Sequence, residues 1–351
     1  MRVQDKNMNK LLTIIVPSYN MEKYLEKDLN SLVLPSDLMK KIEVIVVNDG
    51  SGDRTSDIAH EFEKSYNESV KVIDKDNGNY GSCINAGLKK SSGTFVKILD
   101  ADDYFNTENL SQFVTELEKS EIRDEKVDVF FTDYHTVDEN GNLIKGYKQE
   151  MPNNRAIAIT DSDCVFFEKI QHHCIAYRRS ILVDNLYHQS EKIPYTDQEW
   201  ITIPLLYVNV IKYVPIDLYQ YLLGRTGQTM DKKVISKSAK AHIDIGERMI
   251  NVWNNTNSNS HHLNKNIVKY RLVKYYEYIY KLFLIQNSCD ESRQLIKSAD
   301  DKLKKESAEI YNELGKVKFS RKVPIKYIKY WRNNENSSIV MILRKLHQLM
   351  E

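Results

Sequence analysis

Four apolar runs, each closing on a cluster of Asn, Asp, Gly and Ser, constrain this chain more than any other feature. "LLTIIVP" runs into PSYN (Pro17 to Asn20) and "IEVIVVN" into NDGSGD (Asn48 to Asp53). "VKVID" runs into DKDNGNYGS (Asp74 to Ser82) and "TFVKIL" into DADD (Asp100 to Asp103). Segments of helical spacing lie between them. Tyr24, Leu25, Leu29 and Leu32 share one face, then Ile58, Ala59 and Phe62, and "SCINAGLKK" reads as a short helix. Leu110, Phe113, Val114 and Leu117 form a further stripe behind Thr107, its expected N-cap. "VDVFFTDY" is a fifth strand, and "DENGN" (Asp138 to Asn142) carries the Asn-Gly signal of a hairpin turn. Near-continuous apolar strands separated by amphipathic helices predict an α/β fold, a mostly parallel sheet flanked by helices on both faces. In such sheets ligands bind outside the carboxyl ends of the strands, which is where all these polar clusters fall.

DADD is the chemically loaded cluster. Adjacent carboxylates repel, and each pKa unit of that repulsion is about 1.4 kcal/mol. A divalent cation offsets the charge. Hard oxygen donors suit Mg²⁺ or Mn²⁺, which take one or two carboxylates plus phosphate oxygens and water. A D-x-D at a strand end therefore suggests a metal–diphosphate site. No GxxxxGK[ST] occurs and no GxGxxG follows the first strand, which argues against a P-loop NTPase and an ordinary dinucleotide dehydrogenase.

The net charge of +1 gives no basic field for nucleic acid. Cys83, Cys164, Cys174 and Cys289 show no CxxC spacing, which favours free thiols in a reducing compartment. The polar "MRVQDKNMNK" start has no signal-peptide core, and runs such as "IVMIL" fall short of the ~20 residues that span a bilayer. The expected location is cytoplasmic, peripheral to a membrane at most. Cys164, His172, His173 and Cys174 fit no common zinc spacing, and are expected to line an acceptor side or pack in the core. After Met230 the pattern turns helical: Leu272, Tyr276, Ile279 and Phe283 share a face, and "SADDKLKKESAEIYNEL" reads as one polar helix. Between Lys316 and Lys345 nine Lys/Arg meet one acid, Glu335, among Tyr327, Tyr330 and Trp331. That segment reads as a solvated face or homodimer contact, or else as a patch touching anionic lipid.

"TIIVPSYNMEKYLEKDLNSL", "IEVIVVNDGSGDRT" and "NGNYGSCINAGLKKSSGTFVKILDADDYF" resemble the family 2 glycosyltransferases of the GT-A fold, a Rossmann-like α/β architecture. The resemblance is strong over residues 11–110 and weaker to about 225. The expected layout is a nucleotide-sugar-binding and catalytic domain over 1–228, with a donor half at about 11–110 and an acceptor half at about 111–228, then a helical C-terminal region over 229–351. The resemblance implies that Pro17, Tyr19 and Glu22 surround a nucleoside and that Asp49 accepts a hydrogen bond from its base. It places Asp102 on a divalent cation (Mn²⁺ or Mg²⁺), Asp100 beside the ribose or in the metal shell, and Asp103 in support. Ile84 stands where many members carry Arg, so Asn77, Tyr80 and Gly81 are expected to shape that wall. In "YTDQEW", Asp197 is the candidate general base and Glu199 the second choice, with Thr196 replacing the usual first acid. Arg225 is expected near the diphosphate.

The implied activity is inverting, metal-assisted sugar transfer, of hexosyl or N-acetylhexosaminyl groups. The donor is a nucleotide-diphosphate sugar, UDP-linked by family habit. The acceptor is a glycan, polymer or glycolipid hydroxyl in bacterial cell-surface polysaccharide assembly. Two other classes stand against it. A sugar-phosphate nucleotidyltransferase would show a Gly-rich, basic loop after the first strand, and "PSYNMEKY" is neither. A non-catalytic sugar-nucleotide-binding protein would have no need of an intact D-x-D with Asp197.

Overall fold

The computed structural model describes residues 10–160, 166–224, 239–256, 264–286, 289–320, 322–335 and 338–350. Strands form on the apolar runs, and helices on the amphipathic segments between them. The order is β1 (Leu12–Ser18), α1 (Leu25–Ser31), α2 (Ser36–Met39), β2 (Ile42–Asn48), α3 (Thr55–Ser65), β3 (Val70–Asp74), α4 (Asn79–Lys90), β4 (Phe95–Ile98), β5 (Tyr104–Phe105) and α5 (Thr107–Ile122). Then come β6 (Val129–Val137), β7 (Leu143–Tyr147), β8 (Ala156–Ala158), β9 (Ile175–Arg178), α6 (Arg179–Val183), α7 (Asp197–Thr202) and β10 (Val210–Leu222). The chain divides into two units, Met1–Thr226 and Gly227–Glu351.

The sheet runs β3-β2-β1-β4-β9-β6-β10-β5, with β7 on β6 and β8 on β10. Its parallel character is concentrated in β3-β2-β1-β4, where every residue of β2 is buried. β6 and β10 are also parallel, while β9, β5, β7 and β8 join antiparallel. Phe130 sits edge-on to Phe95 (5.1 Å) and to Phe113 (5.9 Å), so the aromatic core reaches from the sheet into α5.

Three local readings change. α1 starts only at Leu25, because the preceding loop turns at Asn20 in a left-handed conformation (φ 54°). The N-cap of α5 is Asn106, whose side chain accepts from the Asn109 N–H at 3.0 Å, rather than Thr107. The Thr107 hydroxyl instead donates to the Ser31 carbonyl at 2.9 Å and ties α5 to α1. β5, unmarked in the sequence by any apolar run, pairs with β10 directly after DADD. The Asp138–Asn142 hairpin forms as expected, with Gly141 left-handed (φ 81°).

In the second unit Leu272, Tyr276, Ile279 and Phe283 are all buried, as their spacing predicts. The polar segment breaks into two helices, Asp290–Glu306 and Ala308–Leu314, where the Ser307 side chain caps the second. A minority of the basic segment is internal. Arg332 donates to Asp300 at 2.6 and 2.9 Å and lies 3.5 Å over the Tyr311 ring, while Tyr327 and Trp331 are core residues. Lys318, Lys322, Lys326 and Lys329 are exposed. No helix among the described residues is long and apolar enough to cross a membrane. Arg332→Leu strands the buried Asp300 carboxylate. It is expected to destabilise the second unit by about 3–5 kcal/mol, read as a lower urea midpoint by tryptophan fluorescence.

Candidate active site

The carboxyl ends of β1, β2 and β3 are stitched into one edge. The Asp49 N–H donates to the Ser18 carbonyl (2.9 Å), and the Lys75 N–H to that of Asn48 (3.0 Å). Beyond them the loops cross-link: the Asn20 side chain accepts from the Gly52 N–H, Asp53 from that of Glu22, and the Glu22 carboxylate from that of Arg54. Glu22 thus closes this loop pair, while Tyr19 is 49% exposed at its rim. Asp49 is buried, and its Oδ1 accepts from Lys75 Nζ (2.5 Å) and the Gly78 N–H (2.9 Å). Asn77 donates to the Asp49 carbonyl (3.0 Å), shaping the wall behind it. Lys75 supplies a positive charge at this edge that no motif flagged.

At the end of β4 the chain turns on an Asp103 N–H to Asp100 carbonyl bond (2.8 Å). Asp103 is buried. It accepts from the Tyr219 hydroxyl (2.6 Å) and the Leu222 N–H (2.7 Å), so it anchors the turn to β10. Burial raises its pKa well above the carboxylate range, with Asp102 and Asp100 adding to the rise. Tyr219 completes a relay by accepting from the Asp100 N–H at 3.1 Å. The Asp100 carboxylate itself takes hydrogen bonds from Tyr80 (3.0 Å) and His172 Nε2 (3.1 Å). Burial works against a charged His172, yet the Asp100 carboxylate beside it raises its pKa.

Asp197 opens α7, with Thr196 as the cap residue, so its carboxylate is not consumed as an N-cap. Burial raises its pKa, opposed by His172 and by a Gln198 hydrogen bond, with Asp100 adding to the rise. Asp100, His172 and Asp197 thus share one electrostatic neighbourhood. Glu199 lies elsewhere. It is fully buried, with one oxygen on the Ser190 N–H and the other on its hydroxyl, each at 2.7 Å. That makes it an anchor for the 187–192 segment and leaves Asp197 as the candidate base. The same segment presses on α4. A Cβ on Gly81 would meet the Ser190 carbonyl oxygen at 1.9 Å, and Asn85 is bonded both ways to Gln189. Gly81 is therefore a close-approach position rather than a ligand contact. Arg225 and Cys164 lie outside the described residues. Cys174 accepts from Gln149, and the two histidines group with Asp100 rather than with cysteines.

Two buried groups escaped sequence reasoning. Lys97, inside β4, donates to the His173 carbonyl (2.6 Å), and burial pulls its amine down to about 7. Asp28, in the charged-looking "LEKDLN", is fully buried with neither oxygen hydrogen-bonded. It sits on α1, whose Ser31 hydroxyl accepts from the Phe105 N–H (3.0 Å), so it faces the aspartate turn from below. Burial raises its pKa well above the carboxylate range, and Asp102 and Asp100 push the same way. A folded-state pKa above the unfolded one makes Asp28 stabilising at low pH. That contribution is lost as pH climbs from about 4 through the raised folded value. Asp28→Asn removes the ionisation penalty and is expected to raise the melting temperature at pH 7.5, by about 1.4 kcal/mol of stability for each pKa unit of the raise that is relieved. The gain should shrink toward pH 5, which differential scanning fluorimetry at both pH values checks.

Residues 13–186 match the model of Glycosyl transferase family 2. The poly(ribitol-phosphate) beta-N-acetylglucosaminyltransferase TarS of Staphylococcus aureus is 29% identical over 225 residues, 64% of this chain and 37% of that protein. The uncharacterized glycosyltransferase EpsJ of Bacillus subtilis is 35% identical over 115 residues, 33% of each chain. The chain spans about a third of the length of these curated relatives. The crystal structure of S. aureus TarS 1-349 in complex with UDP-GlcNAc superposes with a TM-score of 0.66 at 24% identity, covering 86% of this chain and 82% of that one. The shared architecture is the GT-A fold, and through residues 13–186 the chain belongs to glycosyl transferase family 2.

Proposed function

We propose that this protein transfers a sugar from a UDP-linked donor to a hydroxyl of a cell-surface polymer or glycolipid, with inversion at the anomeric carbon. One observation carries the reading. The Asp49 edge, the Asp100–Asp103 turn and Asp197 converge at the carboxyl ends of one sheet, so nucleotide, diphosphate and acceptor chemistry have adjoining places. The names of its relatives supply the substrate class, since TarS modifies a poly(ribitol-phosphate) with N-acetylglucosamine.

The donor half binds. The Asp49 carboxylate suits the uracil N3–H, a donor, while Pro17 and Tyr19 flank the base. Asp102 and Asp100 fit a divalent cation by donor type, and the crowding that pushes Asp28 and Asp103 toward the protonated form is what such a cation relieves. When bound, the cation would offset charge developing on the leaving diphosphate. Asp197 takes the proton of the acceptor hydroxyl, and its raised pKa makes it a stronger base than an exposed aspartate. His172 opposes the rise of the Asp197 pKa and hydrogen-bonds Asp100, so a charge on it eases the repulsion of the two carboxylates. The hydroxyl oxygen then attacks from the face opposite the diphosphate. Asn77 forms the wall behind the nucleotide, and Arg225 is assigned to the diphosphate by its sequence position alone.

The test is a screen of UDP-sugars for thermal stabilisation and divalent-cation-dependent hydrolysis, followed by transfer assays with the donor so found. Asp197→Asn should lower transfer by at least about 100-fold, the lower end of general-base contributions, with donor binding unchanged. Asp102→Asn should weaken the cation dependence of donor binding. Full transfer activity in Asp197→Asn would remove it as the base.

A further inference from the structure

His173 is an anomaly of the buried core. It is 6% exposed, and neither ring nitrogen has a hydrogen-bond partner, whereas buried polar groups are nearly always paired. The ring is not free to look for one. It is packed against the rings of Tyr219, Tyr221 and Tyr134 at centroid distances of 4.5, 4.7 and 5.1 Å, and Lys97 holds its backbone carbonyl. The neighbouring His172 ring lies 3.9 Å away, centroid to centroid. One ligand atom from each of Asp100, His172 and His173 falls within 4.8 Å of the other two. Two ligands ~2.1 Å from one ion stand at most ~4.2 Å apart, so the set needs to contract by only about half an ångström.

We propose that Asp100, His172 and His173 form a transition-metal seat of one carboxylate and two imidazoles, and that this seat decides which divalent cation the site accepts. The donor set carries the preference. Imidazole nitrogens suit Zn²⁺ and the later first-row ions, and Mn²⁺ tolerates them better than Mg²⁺, which is held by oxygen donors and water. The surroundings fit a cation. Asp100 and Asp197 act on His172, and Asp28 and Asp103 act with Asp100, while the buried Lys97 is the opposing charge at both imidazoles. The outer layer is present as well. Tyr80 donates to the Asp100 carboxylate, as outer partners of metal ligands do, and Tyr219 takes the Asp100 backbone N–H. Asp102 does not fall in this cluster among the described residues, so the seat is built on the first aspartate of the D-x-D and on histidines that no motif marks. The inference rests on the proposed function only in taking Asp100 to belong to the donor site.

The experiment is Mn²⁺ titration of the whole chain followed by electron paramagnetic resonance, with pulsed detection of ¹⁴N coupling, alongside UDP binding by calorimetry. The expected result is bound Mn²⁺ coupled to nitrogen in the wild type. His173→Phe, which keeps the aromatic packing, should lose at least the roughly tenfold in Mn²⁺ affinity that even an outer-shell partner is worth. Its Mg²⁺ affinity should change less. Mn²⁺ bound without ¹⁴N coupling, or bound equally by His173→Phe, overturns the seat and leaves the proposed transferase standing. UDP binding with no Mn²⁺ or Zn²⁺ binding overturns the seat too. Nitrogen-coupled Mn²⁺ with no binding of any UDP-sugar supports the seat and overturns the proposed function instead.

Discussion

The Tyr219 hydroxyl holds the candidate site together. It donates to the Asp103 carboxylate and accepts from the Asp100 N–H, so one oxygen fixes both ends of a four-residue turn. The turn has no helix or long strand of its own to stiffen it. β5 is two residues long, and it is stable because β10 pairs with it and because Leu222 supplies a second donor to Asp103. A parallel four-strand half brings the aspartates to the edge, and an antiparallel strand from much later in the chain orients them.

Negative charge is the second constraint. Asp28, Asp103 and Asp197 are each driven toward the protonated form, chiefly by burial. Such a cluster is poorly matched to an empty pocket and well matched to a cation or a positively charged partner. It also gives the donor site a pH dependence of stability opposite to that of surface carboxylates, which stabilise when ionised.

The donor half was legible in the sequence because it is local. Strand, polar turn and helix follow one another within about thirty residues, and burial on both faces imposes continuous apolar runs. That order placed the Asp49 and DADD clusters at the sheet edge, and the resemblance to the family supplied their separate roles. What could not be read depends on long-range pairing. Asp100 meets His172 across 72 residues and its N–H meets Tyr219 across 119, and the intervening region has short, irregular elements with no clear period. Asp28 was hidden for another reason. In "LEKDLN" it looks like one more exposed charge on an amphipathic helix, and only the packing of α1 against the aspartate turn shows it to be inside. Glu199 misled in the reverse direction, since an acid beside a candidate base reads as chemistry until both its oxygens are found on Ser190.

The close approach of Gly81 to Ser190 has a consequence for how such a chain can diversify. The donor-side helix and the acceptor-side segment meet without room for a single methyl group, and Asn85 and Glu199 lock the contact from either side. The two sides of this contact therefore cannot be shuffled as free modules. A recombinant that takes residues 1–110 from one relative and the remainder from another would have to import the 187–192 segment with the first part.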